Sequence, residues 1–194
     1  MTNTYDLGPS VEQLSTLLTD VTDEQLDAPT PCAGFTVRDL IGHTIGFAVG
    51  FRGAALKAPP TGTPPENPAD LVGPDWRAEV PIALGALAQA WRDPAAWEGG
   101  TAAAGVDLPA DLAGMIALNE VVLHSWDLAK ATGQPFHPDA AGVEASLRFT
   151  TLVNSPEWPN RRDRIFGDVV AVPEDADDLD RTLGLSGRDP SWTR

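Results

Sequence analysis

The chain has one cysteine, Cys32, so an internal disulfide is excluded. With no disulfide framework to place outside the cell, a cytoplasmic protein is the expectation. Lysine is nearly absent, with only Lys57 and Lys130, and 13 basic residues face 28 acidic ones for a formal net charge of −15. A field of that sign repels nucleic acid and anionic membrane surfaces, so neither is an expected partner. The nearest thing to a basic stripe is RRDR, from Arg161 to Arg164, and it is short and interrupted by Asp163. No stretch approaches the ~20 apolar residues that a membrane span needs. The N-terminal MTNTYDLGPS has no basic start and no apolar run, so no signal peptide is read there.

What is present is enough apolar material for a core, 42% of 194 residues. Helical periodicity begins after Pro9, where Ser10 is placed to cap and Val11, Leu14, Leu17 and Leu18 form a stripe. A loop over residues 27–35 contains Cys32. Thr36 and Asp39 then have capping-box spacing, and Val37, Leu40, Ile41, Thr44, Ile45, Ala48 and Phe51 share one helical face, with His43 at its edge. A Pro/Gly-rich loop over 57–74 leads to a third helix from Trp76 to Trp91. Residues 92–109 read as a short hairpin or plain loop. The fourth helix runs from about Ala110 to Ala131 and stops at Gly133. A fifth covers about Pro138 to Val153, capped by Asp139 or His137. A wrapping tail follows, with an extended piece expected over Ile165 to Val172 and a short helix over Ala176 to Leu185. The expected fold is therefore all-α, a four-helix bundle over residues 1–160 with a C-terminal segment over 161–194 packed on it as part of the same domain. An apolar bundle face leaves a homodimer open.

The chemistry concentrates in the fourth helix. Glu120 and His124 stand four residues apart, so both leave one face of a helix whose intervening residues are apolar. His43, on the apolar edge of the second helix, is their natural third partner. Two imidazoles and a carboxylate with a fourth position open make up a catalytic zinc donor set; iron, nickel and manganese also suit it. The same residues read as well as two hydrogen-bonded core histidines and an ordinary i, i+4 ion pair. Asp127, three residues on, either takes the N–H of a ligand histidine or pairs with Lys130 at the surface. Cys32 is either a nucleophile near a helix N-terminus or a small packed residue. His137 reads as a helix-start residue, Trp126 as core or pocket wall, and Arg38 or Arg52 as a holder of an acidic substrate or part of a solvated face.

Three stretches carry a resemblance. TPCAGFTVRDLIGHTIG resembles the TPCxxWTVRDLxxHxxG signature of the mycothiol-dependent maleylpyruvate isomerase N-terminal-domain group, of the DinB-like superfamily of metal-binding four-helix bundles. NEVVLHSWDLAKATGQ is similar to its second signature, ExxxHxWDLAxATGQ. The tail FGDVVAVPEDADDLDRTLGLSGRDPSW is similar to the end of a single-domain subfamily, FGxxVxVPxDAxxxDRLLxxxGRDPxW. The resemblance implies that His43, Glu120 and His124 are metal ligands. It also implies a low-molecular-weight thiol of the mycothiol type as co-substrate. Phe35 stands where the signature has Trp, and the isomerase has a second domain that completes its active site. The function implied is thus a metal-dependent thiol S-transferase or isomerase acting on a small electrophile. The alternative is a non-catalytic metal-binding stress-response or regulatory module.

Overall fold

The computed structural model describes residues 4–58, 65–156, 158, 162 and 165–194. The boundary expected at 160–161 and most of the RRDR stretch lie outside them. The helices are α1 (Gly8–Thr19), α2 (Val37–Ala55), α3 (Trp76–Trp91), α4 (Ala110–Thr132), α5 (Ala140–Val153) and α6 (Asp178–Leu185). Strands β1 (Gly100–Ala103) and β2 (Val106–Pro109) form one antiparallel hairpin before α4. Short 3-10 turns cover Asp23–Gln25, Pro68–Leu71 and Pro94–Trp97.

Four helices close a ring. α2 packs on α3 and α4, and α1 packs on the same two helices from the other side. α5 lies outside the ring against α4, and α6 lies against α5. The architecture is the all-α bundle with a C-terminal extension. α4 is the most enclosed element: residues 121–129 are all buried. A helix buried all round has no solvated face on which to place its polar residues. That is why His124, Ser125 and Asp127 are interior groups, and why each must find a partner there.

Local chemistry sets the ends. Thr36 and Asp39 form the expected reciprocal cap: the Thr36 N–H donates to Asp39 Oδ2 at 2.8 Å, and the Asp39 N–H donates to Thr36 Oγ1 at 3.2 Å. This cap starts α2 and fixes the register of His43. Gly133, at φ 72°, ends α4 in the left-handed region open to glycine. Asp139, not His137, caps α5 by accepting from the Gly142 N–H at 2.9 Å. Ser10 does not cap α1: the helix begins at Gly8 with Pro9 in its first turn, and Ser10 is buried. The extended piece expected over 165–172 forms no strand among the described residues. Its Val170 N–H donates to the Gly184 carbonyl at 3.0 Å, which ties the tail to α6.

Candidate metal centre

His43 leaves α2 and meets α4 at Glu120. Its Nε2 lies 3.0 Å from Glu120 Oε2, and His124 Nε2 lies 3.1 Å from the same oxygen. One carboxylate oxygen thus bridges two imidazoles from facing helices. The two rings are edge-on, with centroids 4.8 Å apart. The position of His43 depends on a close approach: a Cβ at its neighbour Gly42 would sit 1.9 Å from the Pro68 carbonyl oxygen, so only glycine lets the Pro68–Leu71 turn lie against α2 here.

His124 is held from both sides. Its Nδ1–H donates to Asp127 Oδ2 at 2.9 Å, leaving Nε2 to face Glu120 and His43. Asp127 is fully buried and is itself gripped by Arg188, whose Nε–H and Nη2–H donate to Oδ1 at 2.8 Å and Oδ2 at 2.6 Å. The surface pairing of Asp127 with Lys130 does not form. Lys130 instead donates to the Pro190 carbonyl at 3.2 Å and lies over the Trp126 ring. Trp126 belongs to a small core with Leu123 and Leu183 that Trp192 packs against.

The electrostatics follow from these contacts. Burial works against ionising Glu120, but hydrogen bonds from His124 and His43 outweigh it and hold the carboxyl well below its usual range. Burial likewise disfavours charge on Asp127, and the Arg188 guanidinium overcomes it to lower that carboxyl. Burial lowers His124, yet its bonds to Asp127 and Glu120 win and raise it. A carboxylate oxygen at each ring nitrogen favours the charged form of His124. Cys32 is pushed up to about 11 by burial and by the Asp127 charge, with Arg188 opposing. Burial thus favours the protonated thiol and the small packed residue over an activated nucleophile.

The donor chemistry fits a divalent metal. His43, Glu120 and His124 form one group whose ligand atoms all lie within 4.8 Å of one another. Their 3.0 and 3.1 Å separations from Oε2 are slightly tighter than the roughly 3.4 Å edge of a tetrahedron with ~2.1 Å bonds. The His43 side chain is 35% exposed, against 20% for Glu120 and 7% for His124, so the site opens on the His43 side. Phe35 and Phe47 flank that imidazole with ring centroids at 5.6 and 5.7 Å. His137 is exposed and joins no such group among the described residues. Arg52 is exposed and Arg38 half-buried on α2; the arginine wired to the site is Arg188.

Arg188 and the nearness of Cys32 were missed in the sequence. Cys32, His124 and Asp127 form a second convergent group, although the cysteine is more than 90 positions from either partner. Arg188 meets Asp127 across 61 residues. Neither element has periodicity that points inward. The one available signal was the GRDP stretch of the tail motif, which places an arginine after a glycine without saying what it touches.

A family model for the mycothiol maleylpyruvate isomerase N-terminal domain matches residues 7–129. Two proteins of Mycobacterium tuberculosis, both described as uncharacterized, are 26% identical over 182 residues, covering 91% of this chain and 92% of each relative. Two crystal structures share the fold: a mycothiol-dependent maleylpyruvate isomerase at TM-score 0.60 and 19% identity, and a histidine-to-alanine mutant of such an isomerase at 0.61 and 18%. Each alignment covers 97% of this chain and 79% of the other.

Proposed function

The chain belongs to the mycothiol maleylpyruvate isomerase N-terminal domain family, and from that premise we propose that it holds a divalent metal through His43, Glu120 and His124 and uses it in thiol chemistry. The reaction class is S-transfer to, or isomerisation of, a small electrophile, with a thiol of the mycothiol type as co-substrate. Zinc is the first choice of metal for a two-imidazole, one-carboxylate set. The division into a bundle over 1–160 and a packed segment over 161–194 belongs to the same reading.

The observation that carries it is the convergence of His43 Nε2 and His124 Nε2 on Glu120 Oε2 while Asp127 holds the other nitrogen of His124. Such a metal, when bound, lowers the pKa of a coordinated thiol and holds it as thiolate at neutral pH. The protein's residues do the rest. Asp127 keeps the proton on Nδ1, so Nε2 is free to donate its lone pair. Glu120 is assigned as a ligand and not a general base, because both imidazole Nε2 atoms converge on its Oε2. The half-exposed edge of His43 admits the thiol, and the Phe35 and Phe47 rings exclude water from its flanks. A non-catalytic module would close its metal with a fourth protein ligand. Both Asp127 oxygens are taken by Arg188 and His124, and His137 is exposed, which supports an open position.

The test is a conjugation screen. Purified protein, stripped of metal and then reloaded with zinc, is given a low-molecular-weight thiol and a panel of small electrophiles such as maleyl and epoxide compounds. The reading predicts conjugation or isomerisation only with metal. Metal binding without any metal-dependent thiol chemistry would favour the non-catalytic module.

A further inference from the structure

Arg188 touches none of the three donors, yet the way it is placed bears on them. α6 ends in a Schellman cap: the Gly187 N–H donates to the Gly184 carbonyl at 3.1 Å and the Arg188 N–H to the Leu183 carbonyl at 2.9 Å. Gly187 takes the left-handed conformation at φ 83°, which reverses the chain and leaves Arg188 as the first residue beyond the turn. The side chain is 8% exposed and enters the bundle beside α4. There it donates twice to Asp127, at 2.8 and 2.6 Å, and Nη1 reaches Ser186 Oγ at 3.3 Å. The segment is fastened further on by Lys130 to the Pro190 carbonyl and by Trp192, which packs against the cluster of Leu123, Trp126 and Leu183.

We propose that Arg188 is a positioning residue for the metal centre: the C-terminal segment, through Arg188, fixes the Asp127 carboxylate, which fixes the orientation of the His124 imidazole. The proposal rests on the metal reading of His43, Glu120 and His124. Its force comes from geometry. A planar guanidinium that pairs with both oxygens of a carboxylate accepts one orientation of it, and lysine cannot supply that fork. Oδ2 is thereby shared between Arg188 Nη2 and His124 Nδ1, and one rotation of the carboxylate would loosen both bonds. The same fork settles which donor group takes the metal. Cys32, His124 and Asp127 also converge, but a guanidinium occupies Asp127, so a cation is disfavoured there and is left to the group that faces His43.

The experiment compares the full chain with Arg188→Lys, Arg188→Met, Asp127→Asn and the Asp127→Asn/Arg188→Met double variant. Zinc affinity is read by chelator competition, and cobalt(II) substitution gives a visible spectrum that reports ligand geometry. Loss of the fork should weaken zinc by roughly 10–100-fold and shift the cobalt bands, in Arg188→Lys as well as Arg188→Met. Because Arg188 acts through Asp127, the double variant should lose no more affinity than Asp127→Asn alone. The double variant also carries no unpaired buried charge, so it keeps the test alive if Arg188→Met fails to fold. Wild-type affinity and an unchanged cobalt spectrum in Arg188→Lys and the double variant would overturn the proposal. A wild-type chain that binds neither ion would instead overturn the metal reading beneath it.

Discussion

His124 sits between two carboxylates whose own ionisation is shifted by their partners. In the metal-free chain its raised value means that stability from the imidazolium is complete below the ordinary ~6.5 and is lost as pH rises through the folded value. Glu120 and Asp127 are lowered, so their contribution is present above the ordinary carboxylate range and is lost as pH falls through their folded values. The metal-free chain should therefore be most stable between the carboxylate and imidazole ranges and should weaken towards alkaline pH. Metal inverts the alkaline side, since ligation needs Nε2 without its proton. Thermal melts from pH 5 to 9, with chelator and with zinc, should show a gap between the two melting temperatures that widens as pH rises. A gap independent of pH would mean that proton and metal do not compete for the His124 imidazole.

Among the elements, α2 carries the clearest stability test. Gly42 meets the Pro68 carbonyl where a Cβ would stand 1.9 Å away, whereas Gly50 on the same helix is exposed with nothing within 4 Å. Gly42→Ala must displace backbone and should cost about 1–3 kcal/mol. Gly50→Ala should be neutral or stabilising by up to ~1 kcal/mol, because alanine is the better helix former. Denaturant unfolding of both variants checks this, and equal effects would contradict the packing of the Pro68–Leu71 turn on α2. The Thr36–Asp39 cap, the α3 limits at Trp76 and Trp91 and the Gly133 stop were readable because each is written in local residues. The hairpin stayed open as an alternative because its turn is Ala104–Gly105, both at positive φ, where Asn-Gly would be the usual signal. Ile165 to Val172 has strand-like composition but no partner strand among the described residues, and pairing is what makes a strand.

For the whole molecule, the bundle is the device that makes a site from scattered residues. Glu120 and His124 were legible as a pair because helical spacing puts them on one face. His43 was legible as a candidate because it lies on another apolar face. The groups behind them were half legible: helical spacing offered Asp127 as the partner of a His124 N–H, which forms at 2.9 Å, but Arg188 was not legible, because only the packing of the C-terminal segment joins it to Asp127. Residues from α2, α4 and the chain after α6 thus bear on one small volume. The central claim is that His43, Glu120 and His124 bind one metal. Elemental analysis of the purified chain tests it most directly, with His43→Ala and His124→Ala beside the wild type and circular dichroism to confirm that the helices persist. The account predicts close to one divalent ion per wild-type chain and its loss from both variants with the helical signal kept, since the apolar faces carry most of the bundle's stability. Full metal occupancy in both variants would contradict it and leave two hydrogen-bonded core histidines in its place.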